Sequence, residues 1–353
     1  ENIGKYISQL YRRGGAFISK GMEKYNIGQG QFMFLMELYT QDGKNQEDLS
    51  KILKIDKEKK ISRIQITIHE GKNRQIRKMC KEKNAVILAH FYTVGAIQDV
   101  ADFVGDSLAL AQKAAKTDAD IIVMCGVNFM AETNKILCPD KTVLLPDLNS
   151  HCSLAESCPA DKFAEFVKAH PGYKVLSYVN TSAAVKALTD VVVTSGNAKE
   201  IVESFPQDEK LIFGPDYNLG NYINSITGRN MLLWNGACDV HERFSVEKIV
   251  ALKAQYPNAQ ILAHPECKGA VLKLADYVGS TAALLKYAKS SDIKEFLVAT
   301  ESGILHEMQK SCPEKKFIPV PPDDSTCACN ECAYMRLNTM EKLYNCLKYE
   351  WPS

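Results

Sequence analysis

The chain has 353 residues, 46% of them hydrophobic, and a formal net charge of +1. That is enough apolar material for one or more sizeable cores and a length typical of two or three domains, while the near-neutral charge argues against nucleic acid or an anionic membrane surface as the main partner. The amino terminus lacks the apolar core of a signal peptide and no run of about 18 uncharged apolar residues follows, so a cytoplasmic, membrane-free protein acting on small molecules is expected.

Residues 1–58 read as helices, with apolar residues at helical spacing through Ile7, Leu10, Tyr11 and Ile18, then Phe32, Phe34, Leu35, Leu38 and Tyr39. As far as GQGQFMFLMELYTQDGKNQEDLSKIL this segment resembles the front of a MarR-type winged-helix regulator, stopping before the recognition helix and wing that would read DNA. Ile64, Ile66 and Ile68 alternate, which predicts a short strand, and HEGKNRQIRKMC follows. The stretch 61–80 is similar to a fragment of an RNA pseudouridine synthase, without that family's catalytic domain. Lys72, Arg74, Arg77, Lys78, Lys81 and Lys83 could contact phosphates, but a charge run of this length is more often a solvated helix face. Residues 1–80 are therefore set apart as an N-terminal extension.

From Asn84 onwards, β-branched runs alternate with helical stretches, the pattern of parallel sheets covered by helices. Three segments line up. Their first strands, AVILAHFY, YKVLSYVN and AQILAHPE, place His90, Tyr178 and His264 at equivalent strand ends. Second strands lead into ADFVGDS, TDVVVTSGN and ADYVGST and align Ser107, Ser195 and Ser280. Third strands are ADIIVMCG, EKLIFGP and KEFLVAT. Fourth strands lead to Cys152, Cys238 and Cys332.

The strand end precedes the serine by 17, 17 and 16 residues and the cysteine by 62, 60 and 68. Such regularity marks an internal repeat. The predicted architecture is α/β: three αβα units with parallel sheets around a pseudo-threefold axis, at 81–165, 166–247 and 248–334. Residues 335–353 are expected to pack on the first. Parallel sheets gather ligands at their carboxyl ends. Three such ends turned inward would bring the cysteines together among helix amino termini opened by serine or threonine, a setting suited to small anions.

Of the twelve cysteines, Cys80, Cys125, Cys138, Cys158, Cys267, Cys312 and Cys346 are read as structural. The three aligned ones suit zinc or an iron-sulfur cluster. Zinc in a structural site takes four protein ligands, and no fourth is evident; a 4Fe-4S cluster on three cysteines keeps one iron open for substrate. Cys327 and Cys329 are read either as redox-switch thiols or as idle ones.

The motifs ILAHFYT, IQDVADFVGDSL, GVNFMAETNKIL, SYVNTSA, FGPDYNLGNY, NGACDVHERF, ILAHPEC, ADYVGST and CAYMRLNT together resemble quinolinate synthase, from about Asn84 to about Tyr349. The resemblance implies a 4Fe-4S cluster on Cys152, Cys238 and Cys332, and condensation of iminoaspartate with dihydroxyacetone phosphate in NAD biosynthesis. It also implies L-aspartate oxidase as a transient partner. Glu266 is expected as general base or acid, with His90, Tyr92 and His264 exchanging protons. Ser107, Tyr178, Asn180, Ser195, His241, Ser280 and Thr281 are expected to bind substrate. Two rival readings stand beside this one: an oxygen-sensing iron-sulfur regulator with a DNA-contacting front, and a structural zinc protein.

Overall fold

The computed structural model describes residues 61–323 and 330–351. The winged-helix-like stretch 1–58 and the pair Cys327 and Cys329 lie outside the described residues. Gln75–Ser353 form one compact unit, which starts six residues before the expected boundary at 81.

The first described element corrects a sequence expectation. Ile61–Glu82 is one helix, so the strand predicted from Ile64, Ile66 and Ile68 is its first part. Three alternating isoleucines span too few residues to fix a period, and the run of Lys, Arg, Gln and Met behind them favours continuing a helix once begun. Ile76 and Cys80, at the far end, are buried in the same cluster as Ile87 and Ala89 of the first strand.

Among the described residues twelve strands then follow. The first four are β1 (Ala85–His90), β2 (Phe103–Gly105), β3 (Ile121–Cys125) and β4 (Thr142–Leu144). The next four are β5 (Lys174–Tyr178), β6 (Val191–Val193), β7 (Leu211–Gly214) and β8 (Leu232–Leu233). The last four are β9 (Gln260–Ala263), β10 (Tyr277–Val278), β11 (Glu295–Ala299) and β12 (Lys316–Pro319). They form three four-stranded sheets in the orders β2-β1-β3-β4, β6-β5-β7-β8 and β10-β9-β11-β12. Every strand pair within them is parallel. The threefold internal repeat read from the sequence is thus present as one topology built three times.

Each sheet is buried on both faces, as parallel sheets under helices must be. Successive residues alternate between two cores: Val86 and Leu88 pack with Ile122 and Met124 on one side of the first sheet. Ile87 and Ala89 pack with Ile121, Val123 and Cys125 on the other. On that second side lie Met340, Leu343, Cys346 and Leu347 of the last helix, Met340–Tyr349. In the second sheet Leu176 and Phe213 share the core of Leu88 and Met124, so the first two sheets lean on common apolar material.

A carboxylate bracket recurs in all three units. The backbone N–H of Ile87, Val175 and Ile261 donates to Asp102, Asp190 and Asp276 at 2.8, 2.8 and 2.7 Å. Each aspartate's own N–H returns a bond to the carbonyl of the same strand residue, at 3.0, 2.9 and 2.9 Å. This side chain sits just before the short second strand and holds it in register beside the first. Among the described residues no helix is long and apolar enough to cross a membrane.

Candidate active site and cluster-ligand cavity

The carboxyl ends of the three sheets line one cavity. Its wall includes His90 at the end of β1 and Tyr92 just past it, Ser107 after β2, and Cys152 after β4. The second repeat contributes Tyr178, Asn180, Ser195, Cys238 and His241, and the third His264, Glu266, Thr281, Glu301 and Cys332. Every site residue expected from the sequence is in this wall except Ser280. The hydroxyl of Ser280 instead accepts from the Ala283 N–H at 3.3 Å and caps the helix Thr281–Ser290.

Two helix starts differ from the expectation of a serine or threonine cap. Asp106 caps the helix Ser107–Lys116, accepting from Ala109 N–H at 3.0 Å, so Ser107 is the first helical residue. In the second repeat the helix Ala198–Ser204 begins three residues beyond Ser195, behind Asn197. The side chain of Asn197 accepts from the N–H and hydroxyl of Thr194, at 2.6 and 3.0 Å, and this turn carries the chain past Ser195. Asp and Asn stabilise such starts as well as Ser does, so residue type alone could not locate them.

A backbone feature fixes which cysteines are equivalent. In each repeat, a residue just past the third strand donates its N–H to the carbonyl two residues before the aligned cysteine. The bonds are Asn128 to Ser150 at 2.8 Å, Tyr217 to Gly236 at 2.8 Å and Ser302 to Asn330 at 3.2 Å. Cys152, Cys238 and Cys332 therefore occupy one position in three copies of a loop. All three are unpaired thiols. Burial raises Cys152 to about 12 and pushes Cys238 and Cys332 above the ordinary thiol value. Such groups give up their protons to a cation.

Among the described residues, Cys238, His241 and Glu266 are the group of three whose ligand atoms lie within 4.8 Å of one another. Cys152, Cys238 and Cys332 all line this same cavity. A second sign of a ligand is Asn180 Oδ1, a buried cavity atom with no protein partner.

Around this space runs a hydrogen-bonded chain. The Tyr178 hydroxyl donates to Glu266 Oε1 at 2.5 Å, and His241 Nδ1 lies 2.9 Å from Glu266 Oε2 and 3.3 Å from Cys238 Sγ. His241 Nε2 meets Thr300 Oγ1 at 2.9 Å, and the Tyr92 hydroxyl meets Thr300 Oγ1 at 2.7 Å and Thr281 Oγ1 at 2.8 Å. One assignment satisfies the run: Tyr92 donates to Thr300, Thr300 to Nε2, and Nδ1–H to Glu266. Burial acts to raise Glu266, but the hydrogen bonds it accepts from His241 and Tyr178 favour the carboxylate, and the carboxyl is lowered overall.

The two strand-end histidines are held alike. The N–H of Tyr92 donates to His90 Nδ1 at 3.2 Å and the N–H of Glu266 to His264 Nδ1 at 3.4 Å. Burial lowers both rings to about 3, so they are neutral. A neutral ring that accepts at Nδ1 carries its proton on Nε2. Both are therefore hydrogen-bond donors toward the cavity, and His264 Nε2 uses that capacity on Ser195 Oγ at 3.2 Å.

Sequence reasoning missed Thr300, Glu301 and Asp216. Strand alignment places Gly126, Pro215 and Thr300 at one position, and Val127, Asp216 and Glu301 at the next. Two acids following aligned third strands were a readable signal. Burial raises Asp216 well above the carboxylate range, Glu266's charge adds to the rise, and the amides of Leu219 and Cys238 oppose it. Burial pushes Glu301 up to about 7 against the pull of Arg336 and the amides of Cys332 and Gly303.

The family profile NadA, described as Quinolinate synthetase A protein, matches residues 74–352. The chain is 58% identical over 277 residues to a quinolinate synthase of Thermosynechococcus vestitus, covering 78% of this chain and 87% of that one. It is 57% identical over 278 residues to a quinolinate synthase of Chloroherpeton thalassium, covering 79% and 86%. A quinolinate synthase of Synechocystis sp. is 57% identical over 277 residues, covering 78% and 87%.

Proposed function

The chain belongs to the NadA, or quinolinate synthetase A, family of NAD-biosynthetic enzymes, and on that premise we propose that it condenses iminoaspartate with dihydroxyacetone phosphate to quinolinate, releasing phosphate and water. Cys152, Cys238 and Cys332 would hold one 4Fe-4S cluster. When bound, such a cluster supplies an iron without a protein ligand, a Lewis acid for a substrate hydroxyl or carbonyl. The observation that carries this reading is the recurrence of one cysteine loop, tied by one backbone bond, in all three repeats.

The chain's own residues supply the rest of the chemistry. Glu266, held as a carboxylate, takes a proton from carbon or oxygen, and the run of donors from Tyr92 through Thr300 and His241 ends on its second oxygen and fixes its orientation. His90 and the His264–Ser195 pair present N–H and O–H donors to substrate carboxylate or carbonyl oxygens, and their neutrality keeps them from trapping a carboxylate as an ion pair. The Asn180 side-chain oxygen accepts from the imine or amine nitrogen. Ser107 and Thr281 offer hydroxyls to the remaining anionic groups. The site works in the cytoplasm, with L-aspartate oxidase as the transient partner that supplies iminoaspartate.

A single divalent cation on Cys238, His241 and Glu266 is the second reading, favoured by the close approach of their ligand atoms. Anaerobic protein given freshly generated iminoaspartate and dihydroxyacetone phosphate tests the first. Brown protein forming quinolinate supports it, and iron-loaded protein forming none rejects the assigned activity. Colourless protein loaded with zinc supports the second reading.

A further inference from the structure

The three cysteines do not follow their strands at equal distance. Cys152 comes eight residues after Leu144 of β4 and Cys238 five after Leu233 of β8, whereas Cys332 comes thirteen after Pro319 of β12. Cys152 and Cys238 also sit directly at the start of short helices, Ser153–Glu156 and Asp239–Glu242. Cys332 has no such helix and is followed by the single 3-10 turn Met335–Leu337.

Glu301, just past β11, ties Cys332 to its own repeat. It is fully buried beside the cavity. Its Oε1 accepts from the Cys332 N–H at 3.1 Å and from Arg336 Nη2 at 2.9 Å, and its Oε2 from the Gly303 N–H at 2.6 Å. Three donors engage both oxygens, which leaves the group poorly placed for proton transfer and well placed as an anchor. Arg336 extends the anchor: its Nη1 donates to the Tyr92 carbonyl at 3.4 Å and its Nη2 to Ser302 Oγ at 3.3 Å. Asn330 donates to the Val240 carbonyl and Asn338 to the Gly126 carbonyl at 2.8 Å, so neighbouring residues of this loop reach the other two repeats.

We propose that Glu301, backed by Arg336, is the positioning residue of the third cysteine, clamping Cys332 to the exit of β11 and to the Tyr92 loop so that its thiolate meets the cluster at the right place. The inference rests on the cluster reading above. It concerns retention of the cluster, whatever the activity of the loaded protein.

The experiment compares anaerobically reconstituted wild type with Glu301→Ala, Glu301→Gln and Arg336→Gln, following iron release to a chelator and the cluster's visible absorption. Groups that orient metal ligands typically change metal affinity by about 10–100-fold, so Glu301→Ala is expected to release iron at least about tenfold faster than wild type. Glu301→Gln, which keeps one acceptor oxygen, should fall between them, with unchanged far-ultraviolet circular dichroism of the metal-free proteins. Release from Glu301→Ala within about twofold of wild type overturns the proposal. If Glu301→Ala does not fold, Arg336→Gln decides by the same rate, and equality with wild type again overturns it. A wild-type protein that binds no cluster would instead refute the reading of the site.

Discussion

At the scale of single residues, the site is organised around Glu266, a buried carboxylate with Tyr178 on one oxygen and His241 on the other. Glu266→Gln keeps the shape and removes the base, so it should retain its iron while quinolinate formation falls by about 10²–10⁴-fold. Normal turnover by that variant would remove Glu266 from the chemistry. Thr300→Val tests the hydrogen-bonded run rather than the base, because valine matches threonine in shape but cannot join Tyr92 to His241. Turnover should fall by about tenfold with iron content unchanged, in line with the loss of one positioned hydrogen bond. Glu266, His90 and His264 were legible from the sequence because they close apolar strands in aligned motifs. Thr300 was not: a threonine at the end of KEFLVAT reads as ordinary strand composition, and its role appears only when Tyr92 and His241 arrive from distant parts of the chain.

At the scale of elements, the repeat's strands, their number and their alignment could be read directly, since both sheet faces are buried and β-branched runs are therefore continuous. The helix Ile61–Glu82 and the caps Asp106 and Asn197 could not, because they depend on local competition between structures of similar propensity. The aspartate bracket was also overlooked, although Asp102, Asp190 and Asp276 stand in the quoted motifs. Asp276→Ala should lower the unfolding free energy by about 1–3 kcal/mol, the cost of leaving a strand N–H without its charged acceptor, measured by denaturant titration.

Asp190 adds a pH dependence. The Val175 amide outweighs partial burial and, with Lys174, holds its carboxyl below the ordinary 3.8. A depressed folded value means the stabilisation is present above the unfolded value and is lost as pH falls through the folded one. The stability gap between wild type and Asp190→Asn should therefore be constant above about pH 5 and close as the pH drops below 3.8. The exposure of this ion pair keeps the effect small. A gap that widened in acid would contradict the assignment.

At the scale of the whole molecule, the family match begins at residue 74 and the compact unit at Gln75. A chain beginning at Ile61 should therefore keep full quinolinate synthase activity. One beginning at Lys81 loses Ile76, which is fully buried, and should unfold at lower denaturant, by about 2–5 kcal/mol for the loss of a core side chain. Equal stability of the two would show that the basic segment is dispensable to the fold. The convergence of all three sheets on one cavity was foreseeable from the repeat, since equivalent strand ends carry the chemistry. The wall between Glu301, Arg336 and the Tyr92 loop was not, because it depends on loops of unequal length.

The central claim is that thiols from three repeats hold one cluster with an iron left for substrate. Mössbauer spectroscopy of isotopically enriched, anaerobically reconstituted protein tests it most directly. The account predicts a cubane of about four irons, one of which alone changes its spectrum when dihydroxyacetone phosphate or quinolinate is added. A spectrum unaltered by either compound, or iron bound only as isolated ions, would contradict it.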